Sequence, residues 1–352
     1  MVLQGNVGVE HGRLQDGPAP GAARGAQGQA TQATTPGAAA GRLGMVVPTR
    51  DRAHTLRVVA PSFYAQDGVE EIVFVDDGST DDTQAVLADL AARHPGVRTV
   101  VLRNAERQGA SACRNRGVEA LSADHVLFCD DDEMLEPGYA RTCLSKLVER
   151  GAGAVSGRRV YMLEGETPEA ALRRFGTGMR RAAPFRFWLC EVVNGASFQG
   201  DQALPFTNAV IVTPTELVRR FGFDPQYAKG NGYREETDYQ MNLFVNGYDI
   251  LVTNDVHSIH LSPSRVRTGG QRGAPALQRI RWSVHYTNYF YRKYWTRYAA
   301  RTGVRLPRPV ALAWFATFAA YREFLRPPLY RAAMALLGVR RRRAGFRVVH
   351  QP

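Results

Sequence analysis

The chain has 352 residues, 44% of them hydrophobic, enough for one large α/β domain or two smaller ones, which excludes a mini-protein stapled by disulfides. Its 45 Lys+Arg against 33 Asp+Glu give a formal charge of +12, carried almost wholly by arginine because lysine stands only at 146, 229 and 293. That balance suits phosphate-rich partners and names none. Four cysteines, at 113, 129, 143 and 190, show neither C-x-x-C spacing nor the density of a secreted scaffold, so a reduced, cytoplasmic setting is expected. No stretch reaches the roughly 18–20 uninterrupted apolar residues of a spanning helix. The N-terminus shows no charged-then-apolar signal pattern. The expectation is a soluble chain, peripheral at most to the inner face of a membrane.

Residues 1–43 are rich in Gly, Ala, Gln and Thr, lack aromatic residues and show no sustained period, so they read as a disordered leader. From there the texture changes. Gly44–Val47 leads into Pro48-Thr49-Arg50, and Glu71–Val75 leads into Asp76-Asp77-Gly78-Ser79-Thr80; both read as short apolar strands ending in polar turns. A helix is predicted over Thr83–Arg93, with Val86, Leu87 and Leu90 on one face behind a Ser-Thr-Asp-Asp capping segment. A third strand at Val97–Leu102, a helix near Ser111–Leu121 and a fourth strand at His125–Cys129 continue the alternation. Buried strands alternating with helices predict an α/β fold with a mostly parallel central sheet, its polar groups and its ligand at the strands' carboxyl ends. Beyond residue 150 the pattern is mixed: strands at 154–160, 209–212 and 249–253, an alternating segment at 256–261, and helices at 216–221 and 238–245. Leu277–Tyr298 carries Trp282, Tyr286, Tyr289, Phe290, Tyr294 and Trp295 near helical spacing and predicts a helix with a broad aromatic face.

The sharpest chemical signal is Asp130-Asp131-Asp132-Glu133, set directly behind the apolar strand Val126–Cys129. Adjacent carboxylates repel one another, so a fold tolerates them where a divalent cation or donors neutralise them; Mg²⁺ or Mn²⁺, sharing its sphere with diphosphate oxygens, fits that need. The plain alternative is a solvated acidic loop capping a helix. Asp76-Asp77 also closes a strand, where carboxylates suit a nucleobase or ribose, or else form an Asx turn. Arg50, Arg52, Arg103, Arg107, Arg114 and Arg116 lie nearby in sequence, and guanidinium forks suit phosphate, with Arg114 best placed.

These stretches resemble, in order and spacing, family 2 glycosyltransferases of the GT-A fold. The matching segments are Pro48–Arg52, Val75–Thr83, Gly109–Asn115, Leu127–Asp132, Asn208–Ile211, Phe221–Asp224 and Arg234–Asp238, covering residues 44–262. The resemblance implies a catalytic domain over 44–262, with a nucleotide-binding half at 44–135 and an acceptor half at 136–262, followed by a helical, basic C-terminal extension at 263–352. It places Pro48, Thr49, Arg50, Asp76, Asp77, Arg114, Asp130 and Asp131 at the nucleotide-sugar. It makes Asp132 the favoured metal ligand, with Asp130 beside it, and raises His260 as a further ligand. Asp51 departs from the asparagine that the family often carries there. Glu235-Glu236-Thr237-Asp238 is similar to the family's acceptor motif, with Glu236 in the place of the general base and Glu235 or Asp238 as alternatives.

The implied function is an inverting transfer of a sugar from a nucleotide-diphosphate donor to an acceptor hydroxyl, dependent on Mg²⁺ or Mn²⁺. The acceptor stays open between a lipid-linked glycan, a small molecule and a peptide. One rival is a nucleotidyltransferase, although Pro48–Thr55 lacks that class's Gly-rich loop; the other is a basic nucleic-acid-binding protein, suggested by +12 and by aromatics interleaved with Arg at 281–298. No nucleic-acid partner is expected under the first reading. No G-x-G-x-x-G or G-x-x-x-x-G-K-[ST] follows a strand. Apolar stretches at 312–321 and 332–339, the second followed by Arg340–Arg343, read either as packing against the catalytic domain or as peripheral membrane contact through the C-terminal extension.

Overall fold

The computed structural model describes residues 41–176, 183–193, 196, 198–229, 232–266, 274–326 and 328–329. Most of the expected leader, and the 332–343 segment, lie outside these residues. The chain enters through β1 (Leu43–Thr49), α1 (Ala53–Tyr64), β2 (Val69–Asp76), α2 (Thr83–Arg93), β3 (Arg98–Arg103), α3 (Ala110–Ala120) and β4 (His125–Phe128). β1 therefore begins at Leu43, the last position assigned to the leader. These strands run parallel in the order β3-β2-β1-β4. β1 and β2 are covered on both faces, which is why they read as apolar runs rather than alternating ones. α3 lies against β1 so closely that a Cβ on Gly117 would come within 2.4 Å of Val46 Cγ1, leaving room there for bare backbone only.

The second half adds β5 (Glu133–Leu135), α4 (Tyr139–Arg150), β6 (Ala154–Tyr161), α5 (Pro168–Gly176), β7 (Phe185–Arg186), β8 (Glu191–Val192), β9 (Gln202–Leu204), β10 (Ile211–Pro214), α6 (Thr215–Phe221), α7 (Glu235–Val245) and β11 (Ile250–His260). β10 enters antiparallel between β4 and β6. β11 then runs parallel to β6, and β5 and β9 pair antiparallel with β11. The two expected segments at 249–253 and 256–261 are thus one strand, interrupted in reading because its register against β6 shifts between Thr253 and His257. α4 escaped the sequence reading although Tyr139, Ala140, Cys143, Leu144 and Leu147 give it a buried face.

One apolar cluster packs α1, α2 and α4 on one side of the sheet; a second packs α3, α6 and α7 on the other. Each large apolar side chain fully buried there contributes about 1.5–3 kcal/mol. The C-terminal α8 (Ala276–Thr302) and α9 (Arg308–Ala320) form a third cluster with β7, β9 and α7. Of the aromatic face predicted from spacing in α8, Tyr286, Phe290, Tyr294 and Trp295 are buried, joined by Tyr291 and Tyr298, while Trp282 and Tyr289 are half-buried. The tyrosines keep their hydroxyls satisfied: Tyr291 donates to Leu189 O at 2.7 Å and Tyr298 to Phe187 O at 2.6 Å.

Candidate active site

The turn after β2 is closed upon itself. Asp77 Oδ1 accepts from Asn104 Nδ2 at 2.8 Å and from Gln108 N at 2.7 Å, while Oδ2 accepts from Gly109 N at 2.8 Å. Burial raises this carboxyl, but those donors outweigh it and hold it below its ordinary range. Asp77 therefore fixes the loop that launches α3, and Gly109 takes φ +89° there, a conformation that favours glycine. Asp76 is fully buried, accepting from Ser79 N at 2.9 Å and from the Gln84 amide. Asp51 sits at φ +52°, where Asp and Asn are the readiest non-glycine residues, so the departure from asparagine keeps the turn. Pro48 and Thr49 end β1 beside this turn, with Thr49 O accepting from Asp77 N at 2.8 Å. Arg50 points outward with 40% of its side chain exposed and pairs with Asp51.

The segment after β4 is different. Asp130 receives Arg114 Nη2 at 2.9 Å and Arg159 Nη2 at 3.2 Å, which keep it ionised below the ordinary carboxylate range although burial opposes them. Burial, only partly offset by Arg52, pushes Asp131 up to about 7. Arg52 lies 3.5 Å from both Asp131 and Asp132. Burial likewise pushes Glu133 up to about 7, against the pull of Arg159 Nε at 2.7 Å. Neither Glu133 oxygen makes a well-aligned hydrogen bond: Oε1 is held by the Arg159 ion pair alone, and Oε2 is buried without a partner.

Strand register then brings in the histidine. His260 of β11 lies opposite Glu133 of β5, and Leu261 N donates to Asp132 O at 3.0 Å. His260 Nδ1 is 2.7 Å from Leu261 O; a carbonyl only accepts, so Nδ1 donates, which in the neutral ring leaves the lone pair on Nε2, 3.8 Å from Asp132 Oδ1. Ligand atoms of Asp132, Glu133 and His260 lie within 4.8 Å of one another. Two carboxylates and an imidazole nitrogen, with a buried Glu133 oxygen lacking a donor, fit a divalent cation. His257 points to the other face of the strand and pairs with Glu136 at 2.9 Å.

Arg114 closes the cleft. Buried on α3, it spans from Asp130 to Glu235, a residue 121 positions later in the chain. Burial pushes Glu235 up to about 7, with Arg114 pulling the other way. Glu236, next on α7, has no hydrogen bond or ion pair to its carboxylate among the described residues, and its charge reaches Arg114. Asp238 is directed elsewhere: it accepts from Tyr227 at 2.8 Å, Lys293 at 2.8 Å and Tyr294 at 3.0 Å, and is buried against α8.

Residues outside the expected set complete this arrangement. Glu133 and Arg159 belong to it, and the signal was a pair of arginines, Arg158 and Arg159, inside an otherwise apolar strand. Arg234, just before α7, is 5% exposed and takes φ +76°. Its guanidinium sits in an aromatic cage of Phe206, Tyr233, Phe290, Tyr291 and Phe315, with ring centroids 4.9–6.0 Å away, and donates to Cys190 O at 2.7 Å. The cage rings from α8 and α9 thereby fix the residue that precedes Glu235 and Glu236.

An acidic cleft at the carboxyl ends of β1, β2 and β4, on a mixed α/β sheet, defines a GT-A-type nucleotide-sugar transferase architecture. Comparison with known proteins agrees. Residues 45–224 match the family described as "Glycosyl transferase family 2", and the chain belongs to that family. It is 32% identical over 125 residues to the GalNAc(5)-diNAcBac-PP-undecaprenol beta-1,3-glucosyltransferase of Campylobacter jejuni, covering 35% of this chain and 40% of that protein. It is 30% identical over 126 residues to the glycosyltransferase GlyA of Streptococcus pneumoniae, covering 36% and 18%. These matches span well under half of the relatives' length. Among solved structures, the mannosyltransferase PcManGT of Pyrobaculum calidifontis, in complex with GDP-Man and Mn²⁺, shares the fold at TM-score 0.52 and 19% identity, covering 86% of this chain and 81% of that one.

Proposed function

We propose that this chain is an inverting, metal-dependent glycosyltransferase that moves a sugar from a nucleotide-diphosphate donor to an acceptor hydroxyl. The observation that carries this reading is the Arg114 bridge, which joins Asp130 behind β4 to Glu235 at the start of α7 and leaves Glu236 beside it without a partner among the described residues. Glu236 takes the proton from the acceptor hydroxyl, whose oxygen forms the new bond to the sugar's anomeric carbon from the face opposite the leaving group. The anomeric carbon's bond to diphosphate breaks as that bond forms, and the nucleoside diphosphate departs with the electron pair. A Mg²⁺ or Mn²⁺ held by Asp132, Glu133 and His260 would neutralise the charge that grows on the diphosphate. Arg52, buried beside Asp131 and Asp132 with Nη1 lacking a hydrogen bond, supplies a fixed positive charge at the same place.

Donor contacts are assigned to the β1 turn at Pro48–Thr49 and to Asp131. Asp76, Asp77 and Arg114 hold these parts in place, because their polar atoms are already engaged within the protein. The donors named for fold neighbours are GDP-Man and UDP-GlcNAc, and one relative is named for an undecaprenol-linked acceptor. Those names define a first screen: UDP-, GDP- and dTDP-sugars with Mn²⁺, read as release of nucleoside diphosphate. Turnover of at least one donor that Asp132→Asn abolishes is expected; release that continues unchanged in Asp132→Asn would remove the metal-assisted mechanism.

A further inference from the structure

We infer that the outer face of α9, together with the turn that follows it, docks on an anionic membrane surface. α9 is apolar on two sides. Ala311, Phe315 and Ala319 face inward at four-residue spacing and are buried. Val310, Trp314, Tyr321, Phe324 and Leu325 continue along the other side, exposed by 51%, 52%, 39%, 47% and 55%. Leu329 extends the row and is 58% exposed. Trp188 joins it from the β7–β8 turn, its ring 5.5 Å from that of Trp314. Trp314, Tyr321, Phe324 and Leu325, with Thr317, Phe318 and Ala320, line an open groove of ≈ 560 Å³. A helix apolar all round requires a second apolar environment.

The charge of this part of the chain selects the environment. Residues 301–352 contain eleven arginines against one acid, Glu323, and no lysine or aspartate, a net +10 of the chain's +12. Glu323 is itself paired with Arg279. An anionic bilayer surface satisfies both properties at once, taking aromatic and aliphatic side chains into the boundary between headgroups and acyl chains while its phosphates attract the arginines. A second copy of this chain would bring a second segment of net +10 with the same apolar face. A nucleic acid would answer the charge but not a row of Trp, Tyr, Phe and Leu at helical spacing. No described helix is long and apolar enough to cross a membrane. The helix therefore lies in the plane of the surface. Phe315, on its inner face, is one of the rings around Arg234, so the docked element is the one that braces the start of α7.

The test is co-sedimentation of the full chain with vesicles, without donor or acceptor, so that it stands or falls independently of sugar transfer. Vesicles of equimolar phosphatidylcholine and phosphatidylglycerol are expected to pellet the protein, raised salt to release it, and phosphatidylcholine alone to leave it in solution. The double variant Trp314→Glu/Phe324→Glu should lose at least about tenfold in partitioning with an unchanged thermal melt. Changing Arg340, Arg341, Arg342 and Arg343 to Gln should weaken binding by a comparable factor, most strongly at low salt. Equal sedimentation of the double variant and the parent would overturn the inference. So would a concentration-dependent dimer that the double variant dissociates, or retention of the parent by single-stranded RNA with no binding to the mixed vesicles.

Discussion

Asp76-Asp77 after β2 and Asp130-Asp131-Asp132 after β4 are both acidic runs at the carboxyl ends of buried parallel strands, yet the fold treats them in opposite ways. The first is answered from close by: Ser79, Gln84, Asn104, Gln108 and Gly109, all within about one crossover, direct their donors onto the two carboxylates. The second is answered by arginines from remote elements, Arg52 ahead of α1, Arg114 of α3 and Arg159 of β6, and retains buried acids raised to about 7. A carboxylate saturated by amides holds a loop. Acids crowded where burial outweighs their arginine partners store a demand for positive charge, and that marks the candidate site.

The comparison breaks most sharply at Asp132. Asp132→Asn should abolish nucleoside diphosphate release and Mn²⁺ binding by titration calorimetry while the thermal melt persists. Retained Mn²⁺ affinity would move the cation elsewhere. Glu236→Gln comes next, with an expected loss of roughly 10²–10⁴ in turnover. Donor affinity should not change, since the substitution touches the proton acceptor alone; a near-parental rate would pass the base role to Glu235. Asp238→Asn should cost far less activity, because its carboxylate serves Lys293 and the α8 tyrosines.

Arg114→Met tests the bridge from the side of stability. It strands Glu235 as a buried acid and leaves Asp130 to Arg159 alone, and chemical denaturation should show a loss of about 3–5 kcal/mol. Asp77→Ala should cost about 1–3 kcal/mol by orphaning the amides of Gln108 and Gly109. Activity should survive at low temperature in that variant; Mn²⁺ affinity lost together with stability would place Asp77 among the ligands.

The smallest effect is one of pH. Asp131, Glu133 and Glu235 rise from ordinary values of 3.8, 4.5 and 4.5 to about 7 on folding, so the folded state binds their protons more tightly than the unfolded one. Their contribution is fully present below about pH 4 and is lost as pH climbs through about 7. Melting of the metal-free chain should therefore move to lower temperature between about pH 5 and pH 8, and Mn²⁺ should shrink that slope. A melting temperature that rises over this interval would show that the acids are already neutralised by their arginines.

Much of this was legible beforehand because it is local. Apolar runs of four to eight residues, polar turns and a helical aromatic period need only neighbours in sequence, and β1 to β4 with α2 and α3 fall within a residue or two of their expected bounds. The acidic run behind Val126–Cys129 was equally plain. What escaped depended on contacts between distant stretches. Arg50 and Arg52 look alike in sequence, but the first faces water and the second is buried against Asp131 and Asp132, since only Arg52 faces the sheet end at the entry to α1. Glu235, Glu236 and Asp238 are equivalent carboxylates within one helical turn, and only the packing of α8 decides that Asp238 belongs to Lys293.

The sequence by itself determined the alternation of strands and helices, the acidic ends of β2 and β4, and a basic, apolar C-terminus, because hydrophobic period and turn chemistry act over a few residues. Only the tertiary structure decided which acids remain unsatisfied, which arginines meet them, and that His260 lies opposite Glu133. Those outcomes are set by strand register and helix packing across a hundred residues or more, where burial, and not composition, fixes the energy of a charge.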